Sequence, residues 1–239
     1  MNLQLPKRLK KVASFFGNHE HSAGGDSVSA CRTERVVADI GCDHAYLSIS
    51  LILSNLCDRA IASDLRIGPL EAAKKNIALY GCDDRITPVL ANGLDGLEKM
   101  GITDVMICGM GGDTMIDILS RADFIKTPGM RLILQPQTAF AELVYYLTGE
   151  GFRIYAERYE VENKKPYRII AAVFDGKVYV PSLKEALVGS LTFAEDSDAY
   201  HFFCKKIIST LEKKIKGAQH HGDDASELIS ICDDIQNSI

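Results

Sequence analysis

The residues of this chain best suited to chemistry stand at the ends of short apolar runs. In ADIGCDHAYLS, Asp39, Gly41, Cys42, Asp43 and His44 follow a β-branched run, at the carboxyl edge where a Rossmann-like sheet carries its ligand loop. Gly41 lets the backbone turn sharply and come close to a ligand. A carboxylate at Asp39 or Asp43 suits a ligand with an ammonium group, such as the amino-acid tail of S-adenosylmethionine. The next run ends in ASDL, with Asp64 about 23 residues after Gly41, where an acidic side chain can accept both hydroxyls of an adenosine ribose. NAD and S-adenosylmethionine share that ribose, so Asp64 points to an adenosyl ligand without choosing between them. Its other reading is the N-cap of the following helix.

Three further run ends carry polar or bare positions. ANGLDGL offers Asn92 and Gly93, a polar side chain and an open backbone beside an adenine ring or an ordinary turn. ICGMGGDT crowds Gly109, Gly111 and Gly112 around Met110, a density that implies backbone close to a ligand or positive φ at several residues. ILQPQ brings Gln135 and Pro136 to the same edge, where a buried amide can read a base edge or cap the next helix. The G-x-G-x-x-G fingerprint that cradles a pyrophosphate is missing, which disfavours a nicotinamide oxidoreductase.

These positions require a parallel sheet with crossover helices, and the chain supplies the pattern. The expected strands are Val36 to Ile40, Arg59 to Ser63, Ile86 to Leu90, Asp104 to Cys108 and Arg131 to Leu134. Helices are expected over Tyr46 to Leu56, Pro69 to Tyr80, Leu94 to Met100, Thr114 to Ala122 and Phe140 to Glu150. Two β-rich runs, Arg153 to Val161 and Tyr167 to Phe174, flank the turn ENKKP and read as a hairpin. Leu5, Leu9, Val12 and Phe16 give an opening amphipathic helix that ends near Gly17, and the polar stretch 17–34 reads as an irregular connection. Beyond Gly176, Ala199, Phe203, Ile207, Leu211 and Ile215, then Leu228, Ile231, Ile235 and Ile239, predict a helical hairpin. Gly217, His220, His221 and Gly222 are expected in its turn.

Composition narrows the class. The 239 residues suffice for one α/β domain with a small appendage. No apolar run reaches the roughly 18 to 20 residues of a membrane span, and the opening MNLQLPKRLKK lacks the apolar core of a secretion signal. Seven scattered cysteines without a C-x-x-C pair disfavour structural zinc and a disulfide framework. A cytoplasmic, metal-free protein is expected. The net charge of −5 disfavours a nucleic-acid partner, but Lys7, Arg8, Lys10 and Lys11, and the lysines between Lys205 and Lys216, form local basic patches.

DIGCDHAYL, SDLRIGPLEAAKKNI, NGLDGL, CGMGG and LILQP, in this order, together with the opening PKRLKKVASF, resemble the TrmK family of bacterial tRNA methyltransferases that modify adenine N1 at position 22. The resemblance implies an α/β, Rossmann-like class I methyltransferase fold over 1–176, its last strand antiparallel, with a C-terminal coiled-coil-like helical hairpin over 177–239. It implies S-adenosyl-L-methionine as cofactor and tRNA as partner; a monomer is expected. Carried over by motif, Asp39, Gly41, Cys42, Asp43, His44, Asp64, Leu65, Asn92, Gly93, Gly109, Met110 and Gly111 would line the cofactor site. Asp43 would be the catalytic carboxylate, and Arg8, Gln135 and Pro136 would meet substrate. The chain departs from the family in its long 17–34 connection, in Cys42 where Ser is common and in Ser48 where Pro is common. The alternatives are a small-molecule methyltransferase on the same fold and a non-catalytic adenosyl-ligand or RNA-binding module.

Overall fold

The structure is a computed structural model that describes residues 3–17, 34–190 and 197–239. Five strands form its parallel part: β1 (Val36–Ile40), β2 (Arg59–Asp64), β3 (Ile86–Leu90), β4 (Asp104–Met110) and β5 (Arg131–Pro136). The hairpin strands β6 (Phe152–Glu162) and β7 (Lys165–Phe174) complete a seven-stranded sheet of order β3-β2-β1-β4-β5-β7-β6. β7 lies antiparallel to β5 and β6. All five residues of β1 are buried, which is why VVADI reads as a continuous apolar run and not as an alternating one: helices cover both faces of a parallel strand.

Helices α1 (Lys7–Ala13), α2 (Tyr46–Leu53) and α3 (Ile67–Leu79) cover one face, where Val12, Ile49, Ile52 and Ile77 pack with Val37 and Met106. Helices α4 (Gly112–Ser120) and α5 (Phe140–Gly149) cover the other, where Met115, Leu119, Leu143 and Leu147 meet Val36, Val105 and Leu132. The chain crosses from the first face to the second between β1 and β4, neighbours in the sheet but not in sequence. That reversal opens a crevice at their carboxyl ends.

A short helix α6 (Leu183–Val188) leads to α7 (Ser197–His221) and α8 (Ser226–Gln236), which pair as a hairpin over Tyr159 through Phe203, Ile207, Ile231 and Ile235. A buried polar knot fastens this unit to the sheet. Arg168 pairs with Glu157 and donates to the carbonyl of Ala186 at 2.8 Å, while the Tyr159 hydroxyl donates to that of Val188 at 2.7 Å.

Several boundaries differ from expectation, each for a local reason. Leu94 to Met100 forms successive turns instead of a helix: Leu94 and Leu97 are buried at helix-like spacing, but Gly93 and Gly96 take φ of 66° and 79°, which no α-helix accommodates. α2 stops at Leu53, because Asn55 turns left-handed at φ 54° and brings the Leu56 N–H back to the Leu51 carbonyl. α3 starts at Ile67, two residues before Pro69. α7 runs through Gly217, leaving the turn to Gly222 at φ 78°. Asn163 and Lys164 both take positive φ, so the β6–β7 turn has two residues and β7 begins at Lys165. The connection expected over 17–34 lies, apart from Gly17 and Glu34, outside the described residues.

Candidate active site

The crevice holds a cavity of about 510 Å³, walled by the loops after β1, β2, β3 and β4 and closed on one side by α1 and α4. Its floor is the β1 loop. Gly41 sits at φ +71°, the left-handed region that glycine enters without strain, and a Cβ there would lie 2.2 Å from Cε of Met110. The Gly41 and Cys42 amides both donate to the Ser63 carbonyl, at 2.8 and 2.9 Å, fixing the loop to β2.

Beyond this point the loop is strained. Asp43 and Ala45 take φ of 52° and 58° without being glycine, at a cost of about 1–3 kcal/mol each. Left-handed backbone turns the Asp43 amide onto Oδ2 of Asp64 at 3.3 Å and leaves its own carboxylate largely in the open. That carboxylate stands 3.7 Å from Nε2 of His44, whose ring stacks on Tyr46 and whose carbonyl is held by Asn76.

Two other carboxylates face the cavity from burial. Asp39, 4 % exposed, accepts from the Ser48 hydroxyl at 2.7 Å and from the Ser48 amide in the first turn of α2. Burial pushes its carboxyl up to about 6, against the pull of the Ser48 bonds. Asp64, 5 % exposed, accepts from the amides of Arg66 at 2.9 Å and Asp43. It lies two residues before the cap position of α3, so it shapes the turn into the helix and is not its N-cap. Burial also pushes the thiols of Cys42 and Cys108 up, which keeps both neutral on the cavity wall.

The far wall combines Asn92 with Gly93, at φ +66°, where a Cβ would strike Ile118 of α4 at 2.8 Å. Gly109, at φ +79°, bares the end of β4, and the nearest groups to its missing side chain are Nε2 of Gln137 at 3.7 Å and a guanidinium nitrogen of Arg8 at 3.9 Å. Arg8 reaches this place from α1 because three groups hold it. It donates to Oε1 of Gln135 at 3.2 Å, lies 3.6 Å from Glu162 and sits over the ring of Tyr167.

Most residues singled out from sequence therefore converge on one cavity: Arg8, Asp39, Gly41, Cys42, Asp43, His44, Asp64, Leu65, Asn92, Gly93, Gly109 and Met110 all line it. Three do not. Gly111 precedes α4 with extended backbone, packed against Thr138. Gln135 and Pro136 are buried in β5 behind the wall, and Gln135 acts on the cavity only through Arg8, neither open to a base nor capping α5. Tyr46, Arg66, Asp117 and Gln137 line the cavity without having been singled out. Asp117 and Gln137 gave no signal, since their place depends on how α4 and the β5 end pack. Ser48 was marked only as a departure from the family, although its hydroxyl holds Asp39.

Among the described residues, no group of three or more His, Cys, Asp or Glu is arranged to hold a metal ion. No helix among them is long and apolar enough to cross a membrane.

The methyltransferase domain family matches residues 27–170. The chain is 31 % identical over 170 residues to the tRNA (adenine(22)-N(1))-methyltransferase of Bacillus subtilis, a match covering 71 % of this chain and 65 % of that protein. It spans 61–65 % of the length of the curated relatives it matches. Among solved structures, M. capricolum TrmK bound to S-adenosyl-homocysteine is 26 % identical with a TM-score of 0.76, covering 98 % of this chain and 97 % of that one. A Streptococcus agalactiae protein of the NADB-Rossmann superfamily is 29 % identical with a TM-score of 0.76, covering 99 % and 98 %.

Proposed function

The chain belongs to the methyltransferase domain family, where it groups with the TrmK proteins, and from that premise we propose that it transfers a methyl group from S-adenosyl-L-methionine to N1 of an adenine in tRNA, at position 22 of the D-arm. The observation that carries this reading is the convergence of Asp39, Asp64 and Asp43 on one crevice, opposite a bare β4 end guarded by Arg8 and Gln137.

The cavity residues fit the cofactor. Asp39 supplies a buried carboxylate for an ammonium group and Asp64 one for ribose hydroxyls, while Asn92 and the bare backbone of Gly93 suit an adenine edge. Gly41, without a side chain, leaves the floor open beside Met110. S-adenosyl-L-methionine, when bound, supplies a methyl group already activated on a sulfonium, so the reaction requires neither a metal nor a covalent enzyme intermediate.

What remains for the protein is positioning. Adenine N1 lies on the pairing edge, so the base must leave its stack before it can enter. The open face of Gly109 leaves room for a flat ring at the end of β4, and Arg8, held by Gln135 and Glu162, offers a cation to the approaching RNA. Aligning N1 with the methyl carbon at about 3–3.5 Å provides the main rate gain. Asp43 is the catalytic carboxylate in this reading: its exposed oxygens accept from the exocyclic amine and stabilise the positive charge that develops on the ring. The reading divides the chain into a catalytic unit over 1–176 and a helical unit over 177–239 whose lysines meet tRNA, and it takes the protein to be a cytoplasmic monomer.

The test is transfer from labelled S-adenosyl-L-methionine to unmodified tRNA, with mass spectrometry of the nucleosides and mapping of the site. N1-methyladenosine at position 22, with affinity that falls steeply as salt is added, is the expected result. Cofactor binding without transfer to any tRNA overturns it.

A further inference from the structure

We propose that Ser48 is a positioning residue for cofactor binding: its hydroxyl and its amide together hold the buried Asp39 carboxylate ionised and aimed into the cavity, toward a ligand ammonium group. The inference rests on the adenosyl-cofactor reading and adds to it a residue outside the cavity lining.

The geometry is that of a carboxylate fixed from behind. Ser48 is wholly buried, its Oγ lies 2.7 Å from Oδ2 of Asp39, and its N–H also points at that carboxylate. Ser48 is the third residue of α2, so its amide has no partner inside the helix and is free to serve Asp39. The two bonds oppose a strong drive toward the neutral acid. Asp39 is buried, and among the described residues the groups acting on it besides Ser48 add no positive charge. Asp64 faces it from β2 and disfavours its charge further. Asp43 and Cys42 stand beside it in the loop after β1, and Cys108 faces it from β4, both thiols being neutral. Arg8 lines the same cavity and acts on Cys108. A carboxyl so placed lies near 6 with both Ser48 bonds intact, and it rises when a donor is removed.

The consequence is a dependence of cofactor affinity on pH that Ser48 controls. Below about pH 6 Asp39 takes up a proton and its attraction for an ammonium group disappears. Ser48→Ala removes one donor, and Ser48→Pro removes both, at a first-turn position where a missing N–H breaks no bond within the helix.

The experiment is calorimetric titration of the full chain with S-adenosyl-L-homocysteine at about pH 6 and about pH 8.5. The same titrations with 5′-methylthioadenosine, which has the adenosyl part but no ammonium group, serve as the reference. Ser48→Ala is expected to weaken S-adenosyl-L-homocysteine about tenfold at the lower pH and less than about threefold at the higher. Ser48→Pro should extend the loss to higher pH, and binding of 5′-methylthioadenosine should move little in any variant. An equal loss at both pH values, an unchanged profile or an equal loss for both ligands overturns the role of Ser48. Absence of S-adenosyl-L-homocysteine binding by the unaltered protein overturns the cofactor reading and this inference with it.

Discussion

The sheet buries carboxylates in three places and treats them in two ways. At the amino ends of its strands, Asp104 of β4 meets Arg131 of β5 and stands 4.0 Å from Arg35. In the hairpin, Glu157 is locked to Arg168. At the carboxyl ends, among the described residues, Asp39 has only the donors of Ser48, and Asp64 has backbone amides with a mostly exposed Arg66 at 3.7 Å. A buried charge without a counter-charge is expensive, so a fold that cancels two of these groups and leaves the others facing a cavity is reserving them for a ligand. Stability and binding are thereby assigned to different parts of the same sheet, and substitutions should separate them.

The largest expected effect lies on the cancelled side. Arg168→Met leaves Glu157 buried without its cation and removes the donors to the α6 carbonyls. Loss of about 3–5 kcal/mol of stability is expected, measured by urea unfolding, with the affinity for S-adenosyl-L-homocysteine unchanged while the protein is folded. A stable variant would mean that the knot under the helical hairpin is not what holds it to the sheet.

On the other side, Asp43→Ala should leave stability intact or slightly alter it through the strained loop, and lower turnover by about 10²–10³, or 2.7–4 kcal/mol. Steady-state transfer to tRNA measures this, and near-normal turnover would remove Asp43 from the mechanism.

Asp39→Asn inverts the usual sign for loss of a charged group. The folded-state carboxyl lies near 6, above the ordinary 3.8, so its ionised form weakens the fold. That penalty is present above about pH 6 and fades as pH falls to the ordinary 3.8, below which the proton is bound in both states. At pH 8 the variant should match or exceed the parent in Tm, an advantage that vanishes near pH 4, while its cofactor affinity falls about tenfold or more. A variant that is less stable at pH 8 would put Asp39 among the structural carboxylates, with Asp104 and Glu157.

Much of this division can be read from residue types alone. VVADI, RAIAS and RLIL are apolar through their middles without alternation, as strands covered on both faces are, and the acidic or glycine residues that end the first four runs mark the ligand edge. What escaped is what depends on three-dimensional neighbours. Leu94, Leu97 and Met100 carry helical spacing, yet Gly93 and Gly96 adopt conformations that end a helix before it starts. Gln135 looked like a base reader at the sheet edge, but burial turned it into a support for Arg8 while Gln137, two residues on, took the open position. A serine in an apolar helix such as YLSISLIL gives no hint that a carboxylate lies behind it.

The smallest effect tests whether burial, and not mere presence at the cleft, is what reserves a carboxylate. Asp117 of α4 also lines the cavity, but its side chain is 68 % exposed and is shared with Arg121 at 3.5 Å. Water screens such a group, and an exposed pair contributes only about 0.2–1 kcal/mol. Asp117→Asn should therefore change the affinity for S-adenosyl-L-homocysteine by no more than about fivefold, with the same ratio at about pH 6 and about pH 8.5, measured by the calorimetry used for Ser48. A loss beyond about tenfold would mean that the cavity binds its ligand through an exposed carboxylate as strongly as through Asp39. The cost of burying Asp39 would then need another explanation than ligand binding.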